Sequence, residues 1–200
     1  MKRLRYVDLG TKKGNALDVA CTYYNRFNFP KPKKNQCLGV DAKMEFQIPV
    51  TQKGYAFRQA IIPNEFDWPE ADVYMAWNFL EHARDIVDAL NILDRMVCSS
   101  RVGVWLLLPS FEEKDRARMN AAGFDFPYVD WNCHRAPFQL KHVDEVLAEH
   151  TKRVVKVEKV ARHFHKDSSR LMALQDETPP ATFVPAIAGG WEVAVTLRSL

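Results

Sequence analysis

The chain has 200 residues, of which 47% are hydrophobic and 26% are charged, and its formal net charge is +3. This composition excludes a disordered chain, and the length suits one domain with a sizeable core. The small net charge gives no sign of an extended nucleic-acid footprint. The longest apolar run next to a predicted strand, Val102 to Pro109, is far too short to span a bilayer.

The cysteines favour a reducing, cytoplasmic setting. They show no C-x-x-C spacing, so their pattern is typical neither of a zinc site nor of a small disulfide framework. No secretory signal precedes the first predicted strand. His163 and His165 would share one face of a strand, but no third ligand is evident near them, and no metal site is expected. The four cysteines are Cys21, Cys37, Cys98 and Cys133.

The first twenty residues predict a strand, a turn and a helix. Residues 4–10 form a short apolar run that ends on an acidic residue and a glycine, and residues 16–20 suit the start of a helix. The turn between them carries Gly14. This order is the first unit of a nucleotide-binding α/β sheet, so we expect a ligand-binding edge where the first strand ends.

The rest of the chain alternates strands with helices. Helices are predicted around residues 86–96, 112–118 and 138–150, and a loop is predicted over 178–190. The last strand alternates in polarity and is expected to be antiparallel and near an edge. Six further strands are predicted over residues 36–41, 55–60, 72–77, 101–108, 154–160 and 191–197.

These elements predict one three-layer α/β domain over residues 1–200. The sheet is expected to be Rossmann-like, seven-stranded and mostly parallel, with an antiparallel C-terminal strand. Residues 111–150 contain an aromatic segment, and we expect this segment to form a lid or part of a substrate pocket.

Four segments together resemble one family. They are residues 7–15, with a glycine-bearing turn; residues 38–41, which end a strand on an acid; residues 78–82, with the sequence NFLEH; and residues 134–139, an aromatic turn before an apolar helix. Their order and spacing resemble the class I S-adenosylmethionine-dependent methyltransferases, especially the small-molecule branch, up to about residue 160. The family's middle glycine is Lys12 here, and its acid near the end of the third strand is Gln59.

The resemblance implies an S-adenosylmethionine site and a small-molecule methyl acceptor. Asp41 is expected to accept hydrogen bonds from the ribose hydroxyls, although such an acid can also simply cap a helix. Asp8 is expected to bind the amino group of the cofactor. His82 and His134 are candidate catalytic bases, and a packed structural role remains open for each. The implied cofactor-binding residues are Asp8, Gly10, Thr11, Lys12, Gly14, Asp41, Ala42, Gln59 and Asn78.

Other functions remain open at this stage. A protein that kept the fold and lost the chemistry is one alternative, and a nucleic-acid-modifying methyltransferase is another. The segment after the fourth strand lacks the Asn/Asp-Pro-Pro-aromatic motif of amino-methylating enzymes, so a nucleic-acid partner is not expected. A nicotinamide oxidoreductase would need G-x-G-x-x-G, which residues 10–15 do not supply. Glu81 is expected to cap the helix that follows it.

Overall fold

A seven-stranded sheet with helices on both faces organises the chain. The computed structural model describes residues 3–11, 14–109, 135–164 and 187–198. The strands are β1 (Leu4–Leu9), β2 (Cys37–Asp41), β3 (Ala56–Gln59), β4 (Ala71–Trp77), β5 (Ser100–Pro109), β6 (Val154–Phe164) and β7 (Ile187–Leu197). The α-helices are α1 (Asn15–Tyr23), α2 (Gln47–Gln52), α3 (Ile86–Ser99) and α4 (Leu140–Glu149). Short 3₁₀ helices cover Tyr24–Phe27, Lys34–Gln36, Met44–Phe46 and Leu80–His82.

The strand order places a crevice at the carboxyl edge of the sheet. The order is β3-β2-β1-β4-β5-β7-β6, with β1 to β5 parallel and β7 antiparallel to both of its neighbours. From β1 the chain first pairs to one side, with β2, and later to the other side, with β4. Such a reversal is where open α/β sheets bind ligands. The register sets Leu9 beside Val40 and Ala76, so the residues after these three strands meet at one place.

The sheet and its helices confirm the predicted fold class, with small corrections. Residues 187–190 were expected to be loop but belong to β7, where Gly190 pairs with Pro109 and Arg162. As expected, β7 is antiparallel and near an edge, one strand inside β6, and β3 and β6 are the two edge strands of the sheet. The predicted helix over 112–118 and the greater part of the aromatic segment lie outside the described residues. No helix among the described residues is long and apolar enough to span a membrane.

Two apolar cores fill the two faces of the sheet. Alternation along β4 sends Tyr74 and Ala76 to one face and Val73 and Met75 to the other. The first face packs against α3 and α4, and the second against α1. Helix α3 is capped at its N-terminus by Asp85, whose carboxylate accepts from the N–H of Asp88 at 2.9 Å. Its buried stripe consists of Ala89, Ile92, Leu93, Met96 and Val97.

The segment of residues 24–29, which follows α1, covers the second face of the sheet over β5. Phe27 packs edge-on against Trp105 with ring centroids 5.4 Å apart, and Phe29 lies 6.0 Å from the same ring. The indole N–H of Trp105 donates to the buried carboxylate of Glu192 at 2.8 Å, and Arg26 lies 3.6 Å from the second oxygen of that carboxylate. The segment therefore supplies both the apolar cover of this face and a cation for its buried acid.

Replacing Phe29 with alanine tests this cover. Phe29 is 3% exposed, so we expect the truncation to lower the free energy of unfolding by about 3–5 kcal/mol. Met44→Ala is the matched control, because Met44 is 51% exposed, and it should change stability by no more than about 0.5 kcal/mol. Urea denaturation measures both variants, and equal stabilities would contradict a core role for the segment.

Candidate active site

A cavity of about 620 Å³ lies at the carboxyl ends of β1, β2 and β4. It is lined by residues from the turns that follow these strands and by the residues after β3. The structure brings five of the predicted site residues to this cavity, namely Gly10, Asp41, Ala42, Asn78 and His82.

The turn after β1 requires glycine at position 10. Gly10 has φ +70°, and its N–H donates to the carbonyl of Val40 at 2.8 Å. A Cβ at this position would lie 2.3 Å from a ring carbon of Phe79, so any side chain is excluded both by backbone conformation and by space. The ring of Phe79 thus lies directly against the turn, and both residues line the cavity.

Asp8 lies in β1 two residues before that turn and is buried, with 1% of its surface exposed. Its Oδ2 atom has no hydrogen-bond partner among the described residues. Burial raises the pKa of the carboxyl to about 7; the Thr11 side chain opposes this shift and the charge of Asp41 adds to it. A buried carboxyl oxygen without a donor is a candidate acceptor for an ammonium or hydroxyl group.

Asp41 ends β2 at the wall of the cavity. Its Oδ1 accepts from the N–H of Lys43 at 2.8 Å, which fixes the carboxylate where the chain leaves the strand. Gln59, at the end of β3, donates from Nε2 to the carbonyl of Ala42 at 3.0 Å. Gln59 therefore braces the Asp41–Lys43 turn and does not itself line the cavity.

Asn78 and His82 follow β4. Asn78 adopts φ +47°, a left-handed conformation that asparagine tolerates better than most residues, and its N–H donates to the carbonyl of Leu107 at 2.9 Å. His82 ends a 3₁₀ helix and has about a quarter of its side chain exposed. Its Nε2 lies 4.0 Å from Oε1 of Glu81, whose side chain is 1% exposed.

Glu81 does not cap α3, contrary to the expectation. The cap is Asp85, four residues later, while Glu81 lies buried in the 3₁₀ helix before it. The carbonyl of Glu81 accepts from the N–H of Ala136 at 3.2 Å. This bond attaches the turn before α4 to the site and places Arg135 at the cavity.

Of the remaining predicted site residues, the structure describes Gly14 and Thr11, and neither lines the cavity. Gly14 has φ +67° and caps α1, where a Cβ would meet the Tyr55 ring at 3.1 Å. Thr11 is buried with its side chain against Gly39. Lys12 and His134 lie outside the described residues.

Sequence reasoning missed several lining residues. Phe79 lies inside the predicted NFLEH segment, Arg84 follows that segment by two residues, and Arg135 is inside the predicted aromatic turn, so their positions were available as signals. Residues 60–64 follow β3 at the same edge of the sheet, where a ligand contact is expected for any residue after a parallel strand. Arg84 is paired with Asp85 and Asp88 through its guanidinium at 3.4 and 3.1 Å.

Asp8→Asn should remove a pH dependence of stability. In the unfolded chain the carboxyl ionises near 3.8, whereas the folded chain holds the proton up to about pH 7. The penalty for ionising the buried carboxyl is therefore absent at low pH, and it grows between pH 4 and 7 to on the order of 4 kcal/mol. Relative to Asp8→Asn, the wild-type chain should lose stability as the pH rises through this window.

Urea denaturation at about pH 5 and about pH 8 measures this difference. Asp67→Asn, at an exposed carboxyl, is the control that should keep the wild-type profile. A wild-type stability that stays parallel to Asp8→Asn across both pH values would show that Asp8 ionises normally.

Comparison with known proteins gives structural matches only. No family model and no curated protein matches the chain. Magnesium protoporphyrin IX methyltransferase from Synechocystis PCC 6803, with bound SAH, has a TM-score of 0.57 at 11% identity, over 98% of this chain and 75% of its own. An O-methyltransferase family protein from Burkholderia thailandensis has a TM-score of 0.59 at 12% identity, over 99% and 52%.

A SAM-dependent methyltransferase from Methanosarcina mazei has a TM-score of 0.57 at 11% identity, over 100% of this chain and 94% of its own. At these identities the similarity establishes architecture and not chemistry. The strand order with its antiparallel β7 and the similarity to these solved structures point to the same fold. The chain has the class I S-adenosylmethionine-dependent methyltransferase fold.

Proposed function

We propose that the chain is an S-adenosylmethionine-dependent methyltransferase that acts on a small molecule. The observation that carries the proposal is the arrangement at the end of β1 and β2. The left-handed turn at Gly10 and the carboxylate of Asp41 line one cavity. The buried Asp8, whose Oδ2 has no partner within the described parts of the chain, lies in the strand leading to it. Structures of the same fold hold SAH or SAM, which makes this cofactor the first ligand to test.

The residues present fit the cofactor in three respects. The carboxylate of Asp41 can accept from two adjacent ribose hydroxyls. Ala60, Ile61 and Phe46 offer apolar surface for an adenine ring at the same cavity. The carboxyl of Asp8 can accept from an ammonium group, directly or through water. The cavity volume of about 620 Å³ lies within the range of ligand pockets of this kind.

Methyl transfer from a sulfonium requires the protein mainly to position the two reactants. When bound, S-adenosylmethionine supplies a methyl group already activated by its sulfonium, so positioning can account for most of the rate. The protein must hold the acceptor in line and exclude water. His82, at the cavity with its Nε2 near the buried Glu81, is the group we assign to take a proton from an oxygen or nitrogen acceptor.

The proposal keeps four further predictions made from the sequence. His134 is a second candidate base, and the aromatic part of residues 111–150 contributes to the acceptor pocket. Residues 1–200 act as one domain, and the protein is cytoplasmic, in keeping with Cys21, Cys37 and Cys98, which form no disulfide among the described residues.

One contact favours a second candidate function, a protein that binds ligand without methyl transfer. The ring of Phe79 lies against Gly10, at the turn that in this proposal faces the amino-acid end of the cofactor. If the Phe79 ring stays against Gly10, the adenosine part of the cofactor can bind in the cavity, but its sulfonium is not held where methyl transfer requires it. Binding and transfer must therefore be measured separately.

Asp41→Ala tests the cofactor site. Losing hydrogen bonds from a carboxylate to two hydroxyls should cost on the order of 3 kcal/mol, or about 100-fold in the Kd for SAH by calorimetry. Glu45→Ala removes a nearby exposed acid that does not line the cavity, and it should leave the Kd unchanged. A folded wild-type chain that fails to bind millimolar SAM or SAH would refute the cofactor assignment.

His82→Ala tests the proposed base. With labelled SAM and a panel of phenols, carboxylic acids and amines, the rate of methyl transfer should fall by about 10²–10⁴-fold, with the Kd for SAH unchanged. An unaltered rate would remove His82 from catalysis. Wild-type protein that binds SAM but methylates no member of the panel would support the second candidate.

A further inference from the structure

Three potential metal ligands lie together between α3 and the end of α4, and none of them lines the cavity at Gly10. Asp94 and Cys98 belong to α3, and His150 directly follows α4. Each offers one ligand atom, and the three atoms lie within 4.8 Å of one another. Nε2 of His150 is 2.7 Å from Oδ1 of Asp94. No other group of three such residues with this spacing occurs in the described part of the chain.

The fold holds the three ligands in place from two directions. Asp94 and Cys98 are four residues apart, so they point from the same side of α3. The backbone of His150 is fixed by three hydrogen bonds, from its own N–H to Leu147 and to its carbonyl from Arg153 and Val154, at 2.8–3.0 Å. The histidine is therefore presented to α3 by the rigid end of α4.

The ligand types match a zinc-type cation. A thiolate, an imidazole nitrogen and a carboxylate are the three ligand classes that Zn²⁺ takes, usually in a tetrahedron with room for a fourth ligand. Thiolate and carboxylate together carry two negative charges, which balance the divalent ion. Binding transfers the thiol proton of Cys98 to solvent. Arg153 is close to the cysteine, but its two terminal nitrogens donate to the carbonyls of Val97, Cys98 and Ser100.

Solvent and small ligands can reach the cluster. Cys98 is exposed and about half of the Asp94 side chain is exposed. Both residues also line a second cavity, of about 670 Å³, with Asn91, Arg95 and Trp68 on its other walls. A metal held here would therefore have an open side for a fourth ligand.

We propose that Asp94, Cys98 and His150 form a binding site for a zinc-type divalent transition metal that links α3 to α4. The sequence favoured no metal site because His150 follows Cys98 by 52 positions, and the two residues meet only where α4 packs against α3. The proposal is independent of the cofactor proposal, since none of the three residues lines the cavity at Gly10.

Cobalt(II) titration of the untagged protein tests the site. Co²⁺ bound to a thiolate gives charge-transfer absorption in the near ultraviolet, and we expect one equivalent to produce it. Cys98→Ser should abolish the band, whereas Cys21→Ser, at a cysteine outside the cluster, should keep it. His150→Gln and Asp94→Asn should each weaken cobalt binding by on the order of 100-fold. Loss of a direct ligand should lower the affinity at least as much as loss of a residue that only hydrogen-bonds to a ligand.

A second readout separates binding at the site from adventitious binding. Zn²⁺ should raise the Tm of the wild-type chain, because a ligand that binds only the folded state stabilises it, and the rise should vanish in His150→Gln. No cobalt band in the wild type, or a band retained in Cys98→Ser, would overturn the proposal. So would a Tm rise of equal size in wild type and His150→Gln.

Discussion

The position of β1 between β2 and β4 is the constraint on which the candidate site depends. Parallel pairing on both sides brings the ends of three strands to one edge, although Gly10, Asp41 and Asn78 are far apart in sequence. The backbone of the turn is fastened to the same neighbour, since the N–H groups of Gly10 and Thr11 both donate to the carbonyl of Val40. A change in the register of β1 would thus move every wall of the cavity at once.

The buried carboxyl of Asp8 lowers the free energy of unfolding of this arrangement. A well-packed β1 would be more stable with an apolar residue there, because it is unfavourable to bury a carboxyl whose Oδ2 finds no partner among the described residues. The strand instead keeps an oxygen with no partner among the described residues, next to a turn that only glycine can form. Unfavourable groups of this kind concentrate at ligand sites, where a bound donor offsets the cost.

The sequence predicted the strands of the sheet better than the side-chain contacts around the cavity. Apolar runs and strand-ending acids suffice to locate β1, β2, β4 and β5, because a strand buried on both faces has little freedom in composition. They also predict which edge binds ligand and so bring Asn78 to it, whereas Asp41 and His82 were expected there from the family resemblance. Side-chain neighbours do not follow from strand order. The contact of Phe79 with Gly10 and the role of Gln59 as a brace depend on rotamers and on turn geometry, which no spacing in the sequence encodes.

Long-range helix packing explains the other omissions. Glu81 was expected to cap α3, but Asp85 does so because its carboxylate reaches the N–H of Asp88, and Glu81 is turned inward instead. Likewise, Asp94, Cys98 and His150 are remote in sequence and meet only because α3 and α4 pack on the same face of the sheet.

Helix α3 contributes to both candidate sites at different points along its length. Its first turn carries Asp88, which lines the cavity at Gly10, and its second half carries Asp94 and Cys98. A metal between α3 and α4 would restrain this helix without adding a group to the cofactor cavity. Loss of the metal would then weaken the wall of that cavity only as far as α3 moves, since the ends of β1, β2 and β4 are held by the sheet itself. Both candidate sites use residues of α3, but none of the three metal ligands lines the cofactor cavity. Each site can therefore be present or absent without the other.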